Sequence, residues 1–420
     1  MNGTDQSVAI IGSGIAGLTI ADGLHGKRPF VVYESESWVG GHTHTVTVAE
    51  ADRTIAIDTG FIVCNEWTYP NFLSLLARHG LQTQPSNMSF SVTDERSGLE
   101  YNGTSVNTLF AQRSNALSPG FLGMIADILR FNRAAPAILA QPGPGPTLGE
   151  WLLTNRYGAR FIDHYIVPMG RSIWSARRES LLGFPAKFFV DFFNRHGFLN
   201  IDDRPVWQVI PGGSSSYVSA ITARFADRIR TGCPVHEVRR LPDGVELVLA
   251  DGRRAQHAEV VIATHADSAL QMLADPSDEE RALLGAFSFE PNDVVLHTDE
   301  RLLPRVPLAR AAWNFHIRAD RDTGCSLTYD MNVLQSLHSE RRYLVSLNLT
   351  DRIDPARMLG RWRYDHPVYT PAAVAAQAEH SRISGARRTY YAGAYWRYGF
   401  HEDGVVSGLK VLEQMGVGSP

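Results

Sequence analysis

Lysine is almost absent from this chain. Of its 40 basic residues only Lys27, Lys187 and Lys410 are lysine and the other 37 are arginine, so chemistry that depends on a lysine amine has three addresses. Cysteine is as scarce: Cys64, Cys233 and Cys325 stand far apart, form no CxxC pair, exclude a disulfide framework and read as packing residues, which makes a reducing cytoplasm the expected compartment. No apolar run approaches the roughly 18 residues of a membrane span. Residues 1–6 lack the basic and apolar regions of a signal peptide. With 40 basic against 44 acidic residues the formal charge is only −4, and no basic surplus points to nucleic acid as a partner. A length of 420 residues excludes a lone small binding module and fits two domains.

Glycine is plentiful, 36 residues, and its placement is informative. The apolar run from Ser7 to Ile11 reads as a buried parallel strand and ends directly in Gly12-Ser13-Gly14-Ile15-Ala16-Gly17. A helix to about Leu24 and a second strand ending at Glu34 complete a βαβ unit. In such a unit Gly12 permits the tight turn, Gly14 lets a pyrophosphate lie on bare backbone, and Gly17 lets helix pack on strand. The helix N-terminus favours the anion, and Glu34 is placed to accept from a ribose diol. An adenine dinucleotide follows, with Gly12, Ser13, Gly14, Ile15, Ala16, Gly17, Glu34 and Ser35 as candidate contacts.

Further along, 70–83 reads as an amphipathic helix with a glycine stop, and 121–139 as a second helix. The Pro-Gly run at 141–146 reads as a surface turn or hinge. Residues 148–200 are again helical and strongly aromatic, so 84–204 is expected to be a largely helical insertion. Strand signals occupy 206–210, 235–240, 245–249, 260–263, 293–297, 311–317, 326–331, 343–349 and 389–392, and a final helix starts near Gly404. The aromatic helices at 121–139 and 181–199 read either as buried core between domains or as a surface that lines an acyl tunnel or touches a bilayer.

Several strings, in this order, resemble the flavin amine oxidase superfamily. They are Gly40-Gly41-His42 after the ribose acid, Asp58-Thr59-Gly60-Phe61, Pro211-Gly212-Gly213-Ser214 with Tyr217 and Ala220, Val235 on its strand, Val260-Val261-Ile262-Ala263-Thr264, and Tyr390-Tyr391-Ala392-Gly393-Ala394 with the closing segment 399–408. Within that superfamily His42-Thr43-His44-Thr45, Trp313-Asn314-Phe315-His316 and Ala394-Tyr395-Trp396-Arg397-Tyr398 are similar to bacterial FAD-dependent oxidoreductases encoded beside cyclopropane-fatty-acid-synthase-like methyltransferases. The resemblance implies an α/β fold of the amine oxidase/protoporphyrinogen oxidase type. Its Rossmann-like FAD-binding domain is discontinuous (1–83, 205–290 and 380–420), and an α+β substrate domain comprises 84–204 and 291–379. It implies FAD contacts at Gly40, Gly41, His42, Thr59, Gly60, Phe61, Val235, Ala263, Gly393, Ala394, Glu402, Asp403, Gly404 and Val405, and a long-chain acyl or phospholipid substrate, with a lipid methyltransferase as partner.

The chain departs from the superfamily at three points. Ala394 stands where an acid usually holds the ribityl chain, the stretch 289–294 lacks the lysine used by amine oxidases, and 391–404 holds no cysteine, so FAD is expected to be noncovalent. His401 and Glu402 are candidates for proton transfer or for cofactor hydrogen bonds. Tyr395 and Tyr398, with Trp396 and Phe400, read as an active-site wall or as core. His42-x-His44 suggests a metal pair, but no third ligand is spaced to complete it. Trp362, Tyr364, His366 and Tyr369 read as a polar-aromatic loop whose reach into the pocket is open. The expected reaction is desaturation of an unsaturated or methyl-branched acyl chain by hydride transfer to flavin. The alternatives are amine oxidation, redox-neutral double-bond isomerisation, and a noncatalytic FAD-containing partner of a methyltransferase.

Overall fold

The computed structural model describes residues 7–320 and 324–418; residues 1–6, read above against a leader, lie outside them. Val8–Ile11 is buried along its whole length and pairs in parallel with Phe30–Tyr33 on one side and Glu259–Ile262 on the other. Ile229–Arg230 and Thr389–Tyr391 extend the sheet at its two edges, giving five parallel strands drawn from three distant parts of the chain. Strands covered on both faces must be apolar throughout, which is why VAII, FVVY and EVVI read as continuous runs. Helix Ile15–Leu24 packs beside the last helix, His401–Gln414. The contact is close because a β-carbon on Gly408 would lie 2.9 Å from the Ala16 carbonyl oxygen.

A second sheet has seven strands in the order Met358–Val368, Ser288–His297, Leu344–Leu347, Leu327–Asp330, Trp313–Ile317, Phe90–Asp94, Leu99–Asn102. Two of its members correct the sequence reading. The 84–204 segment is not helical from its start, because Phe90–Asp94 and Leu99–Asn102 form a hairpin on the edge of this sheet. Met358–Val368 is an eleven-residue strand paired with Ser288–His297 along its length, where a loop was expected. Its exposed residues Leu359, Arg361 and Arg363 alternate with Gly360, Trp362 and Tyr364, which turn inward, the period-2 pattern of a half-buried strand.

The helices between the hairpin and residue 200 are shorter than expected. Pro119–Ala134 gives way to a tighter turn over Ala135–Ala140 at Pro136. Ala186–Arg195 sinks Phe188, Phe189, Phe192 and Phe193 into the core. Helix Pro70–Arg78 stops ahead of Gly80, and the last helix starts at His401 rather than Gly404. Among the described residues no helix is long and apolar enough to cross a membrane.

Candidate active site

In an open parallel sheet the ligand lies beyond the carboxyl ends of the strands, and there a cleft of about 670 Å³ opens. Each long strand delivers residues to it: Gly12 to Ala16 follow the first, Glu34 and Ser35 the second, Ala263 to His265 the third, and Gly393 to Tyr395 the last. Gly40, Gly41, His42 and Val235 also line it. Gly12 has φ +101°, and a β-carbon there would come within 2.7 Å of the Ala263 carbonyl oxygen. Gly14 differs: its missing β-carbon faces open space, with no atom within 4 Å. Gly14 is also the N-cap of Ile15–Leu24, a helix with no side-chain cap and no acid in its first turn, so its N–H groups and partial positive charge face the cleft. The Glu34 carboxylate is fixed at the rim, accepting from the Ser13 amide at 2.9 Å, the Ser13 hydroxyl at 2.5 Å and the Glu36 amide at 2.9 Å. A bare cradle at a helix N-terminus with a carboxylate one strand away fits the pyrophosphate and ribose of FAD.

A second cavity, about 280 Å³, lies between the seven-stranded sheet and the helical segment that covers it. Thr59, Gly60 and Phe61 line this one rather than the cleft, as does Tyr398. The two spaces share His42, His366, Pro367, Gly399, Phe400 and His401, and this junction is where a ring at the end of the cleft meets a molecule in the cavity. Hydrogen bonds hold the 42–44 and 59–61 segments side by side: Phe61 N–H donates to the His42 carbonyl and Thr59 N–H to that of His44, both at 2.9 Å. The Tyr364 hydroxyl lies 3.0 Å from the Thr59 hydroxyl and 3.1 Å from His44 Nδ1.

The candidate catalytic residues divide. His401 stacks on Phe61 at 3.5 Å, and its Nε2 is 2.8 Å from the Thr43 hydroxyl and 3.0 Å from that of Tyr217. Burial pushes its pKa down to about 3, so it is neutral at pH 7. Glu402 points elsewhere. Its carboxylate accepts from Asn71 Nδ2 at 2.6 Å and from the Phe72 amide at 2.9 Å, capping helix Pro70–Arg78, and it lines neither space. Asp403, Gly404 and Val405 are likewise outside both. Asp403 accepts from the Phe400 amide at 3.0 Å, with burial raising its carboxyl to about 7. Tyr395 lines the cleft, and Tyr398 donates its hydroxyl to Asp191. Gly17 packs beneath the turn.

One group at the site, and the role of another that belongs to the Asp58-Thr59-Gly60-Phe61 string, escaped the sequence reading. His265 follows the third strand directly, a position that itself signals a ligand site in this topology. It stacks on Phe289 at 4.3 Å and lies 5.8 Å from the His42 ring, which is 5.5 Å from His366. Asp58 is buried beneath the junction. It accepts from the Ser214 amide and hydroxyl at 2.8 Å, the Thr45 hydroxyl at 2.5 Å and Gln335 Nε2 at 3.1 Å. Desolvation nonetheless raises its pKa to about 6. Among the described residues no three His, Cys, Asp or Glu side chains are grouped to hold a metal.

These histidines predict a pH dependence of stability. Desolvation lowers His42 well below its usual value, His401 to about 3, and His196, His297, His316, His366 and His380 to about 4. Between about pH 4 and 6.5 the unfolded chain binds protons that the folded one refuses, so stability falls as pH drops through that window. Asp58, Asp330 and Asp403, which burial raises, act in the opposite sense, but they are three against nine, since His44 and His265 are lowered too. Tm measured from pH 7.5 to 4.5 is expected to fall steeply below pH 6.5, with net proton uptake on unfolding.

A nucleotide cleft on a parallel sheet, joined to an aromatic-lined cavity under a second sheet, is the arrangement of an FAD-dependent oxidoreductase. The family model of flavin containing amine oxidoreductases matches residues 15–415, and the chain belongs to that family. Comparison with curated proteins finds no match. Among solved structures, cyclohexylamine oxidase from Brevibacterium oxydans IH-35A is 16% identical with a TM-score of 0.71, covering 98% of this chain and all of that one. Putrescine oxidase bound to putrescine is 15% identical, TM-score 0.70, covering 98% of each chain. A CLA-producing fatty acid isomerase from P. acnes is 14% identical, TM-score 0.69, covering 98% of this chain and 99% of that one. At these identities the likeness is one of fold.

Proposed function

We propose that the protein oxidises an apolar acyl substrate, an unsaturated or methyl-branched fatty acyl chain, to a desaturated product, with FAD held noncovalently. The observation that carries this reading is the lining of the inner cavity: mostly aromatic and aliphatic side chains with a few hydroxyls, imidazoles and one arginine at the rim, and no Asp, Glu or Lys among the described residues. An ammonium group entering it would find no counter-charge, whereas a hydrocarbon chain gains by leaving water. The lysine that the sequence lacks at 289–294 is supplied by no other element, since none lines the cleft either.

When bound, FAD supplies the two-electron acceptor: a hydride leaves one substrate carbon and a proton the next as the double bond forms, and an external acceptor such as dioxygen takes the electrons on. The chain's own residues position and shield. The turn at Gly12 to Ala16 cradles the pyrophosphate, Glu34 holds the ribose, and Phe61, Trp174, Phe192 and Tyr364 exclude water from the cavity. His401 is tied to Thr43 and Tyr217, and Asn292 engages His366 Nδ1 at 3.0 Å. The proton leaves through neutral imidazoles that the two spaces share, His42 and His366. Double-bond isomerisation is the second reading, favoured by the fold shared with a fatty acid isomerase. Incubation of the FAD-loaded protein in air with a methyl-branched monounsaturated acid, followed by mass spectrometry, separates the two. A product lighter by a pair of hydrogens is expected; a product of unchanged mass would replace desaturation by isomerisation.

A further inference from the structure

Of all the side chains that line the inner cavity, Arg204 alone carries a permanent charge. It stands at the rim, because Gly103, Thr104 and Arg204 are the exposed members of the lining. Its Nε donates to the Asn200 carbonyl oxygen at 2.8 Å, which holds the stem, and among the described residues the two terminal nitrogens have no hydrogen-bond acceptor. Among the described residues no carboxylate lies within ion-pair distance of them. The nearby Glu66 carboxylate instead accepts the Val206 amide at 3.1 Å. The guanidinium charge is felt by Tyr165, a phenol of the cavity wall. Apolar side chains flank it on one side: a β-carbon on Gly197 would lie 2.9 Å from Pro205, 3.2 Å from Trp67 and 3.5 Å from the Arg204 backbone, and Trp67, Ile201 and Val206 are exposed beside it; Asp202 and Asp203, also exposed, precede it in the chain.

A cation without an ion-pair partner among the described residues, with exposed apolar side chains on one flank and at the mouth of a cavity whose lining holds no acid, is complementary to a hydrocarbon chain that ends in an oxyanion. We propose that Arg204 holds the oxyanion at the polar end of the acyl substrate, its planar fork matching a carboxylate or phosphate through two parallel hydrogen bonds, while the tail runs inward past Tyr165 toward the junction with the FAD cleft. The inference rests on the acyl reading above and adds a polarity to it: the charged end stays outside and the reacting carbons lie within. It makes Arg204 a positioning residue that sets which end enters first.

The test measures binding apart from turnover, using quenching of the cavity tryptophans Trp174, Trp207 and Trp313 in the FAD-loaded protein. Three probes are titrated against wild type, R204Q and R204K: oleate, methyl oleate, and vesicles of dioleoylphosphatidylglycerol. An at least ten-fold weaker Kd for oleate or for the vesicles is expected in R204Q, with partial recovery in R204K and no change for methyl oleate. A loss confined to oleate identifies a free carboxylate, and one confined to vesicles a phospholipid phosphate. Wild-type affinity of R204Q for both anionic probes, or an equal loss for methyl oleate, overturns the proposal. If oleate binds through Arg204 but never reduces the flavin, the anchor stands and the oxidation reading fails.

Discussion

Gly14→Asp is expected to give a folded, colourless protein. The position is the one glycine of the turn whose added β-carbon meets no protein atom within 4 Å, so a side chain there costs the fold little. It projects into the cleft at the N-terminus of Ile15–Leu24, where the pyrophosphate lies, and a carboxylate in that place adds like-charge repulsion to the steric block. Circular dichroism should match wild type while the visible flavin bands disappear and added FAD fails to restore them. Gly12 offers no such separation, since φ +101° and the Ala263 carbonyl oxygen at 2.7 Å make any substitution there a folding defect first. A Gly14→Asp protein purified yellow, with full FAD content, would show that the cradle is elsewhere.

The largest expected effect on stability falls on Asp58→Ala. This one carboxylate receives the Ser214 amide and hydroxyl, the Thr45 hydroxyl and the Gln335 side chain. In the other direction Gln335 accepts the Asp58 amide at 2.9 Å. Truncation orphans four donors, those of Ser214 and Gln335 buried and that of Thr45 half-buried, at about 1–3 kcal/mol for each one left without a partner. Allowing for partial relaxation, a total loss of about 3–5 kcal/mol is expected. The damage should reach the site, because Asp58 immediately precedes Thr59, Gly60 and Phe61 and ties them to the start of helix Ser215–Thr222. Asp58→Asn keeps the shape and removes the titration. In wild type the folded chain holds a proton on Asp58 between about pH 4 and 6 that the unfolded chain releases, so this group's contribution falls as pH rises through that window and is level above it. The Asn variant should lack that slope. An Asp58→Ala protein with wild-type Tm would refute the clamp.

The cofactor half of the site was legible because its signals are local. Gly12, Gly14, Gly17 and Glu34 lie within one βαβ unit, and the physics that demands glycine there acts over a few residues. The seven-stranded sheet was legible only in part. Met358–Val368 carries Trp, Arg, Tyr and His in alternation, so its mean hydropathy is low and composition suggested a loop, although the period-2 pattern was present. The edge hairpin Phe90–Asp94 and Leu99–Asn102 was masked by the helices that follow it. Glu402 misled for a simple reason: successive residues on a helix diverge by about 100°, so His401 faces the junction while its neighbour reaches back to cap another helix. Asp58 was not legible as a clamp at all, since its partners Ser214 and Gln335 lie 156 and 277 residues away.

The most direct test of the central claim is anaerobic bleaching of the bound flavin. FAD-loaded protein is mixed, without dioxygen, with an unsaturated or methyl-branched acyl substrate and, in a parallel sample, with a primary amine. The oxidised flavin bands are expected to fade with the acyl substrate and to persist with the amine. Bleaching by the amine alone would contradict it and return the chain to the chemistry for which its family is named.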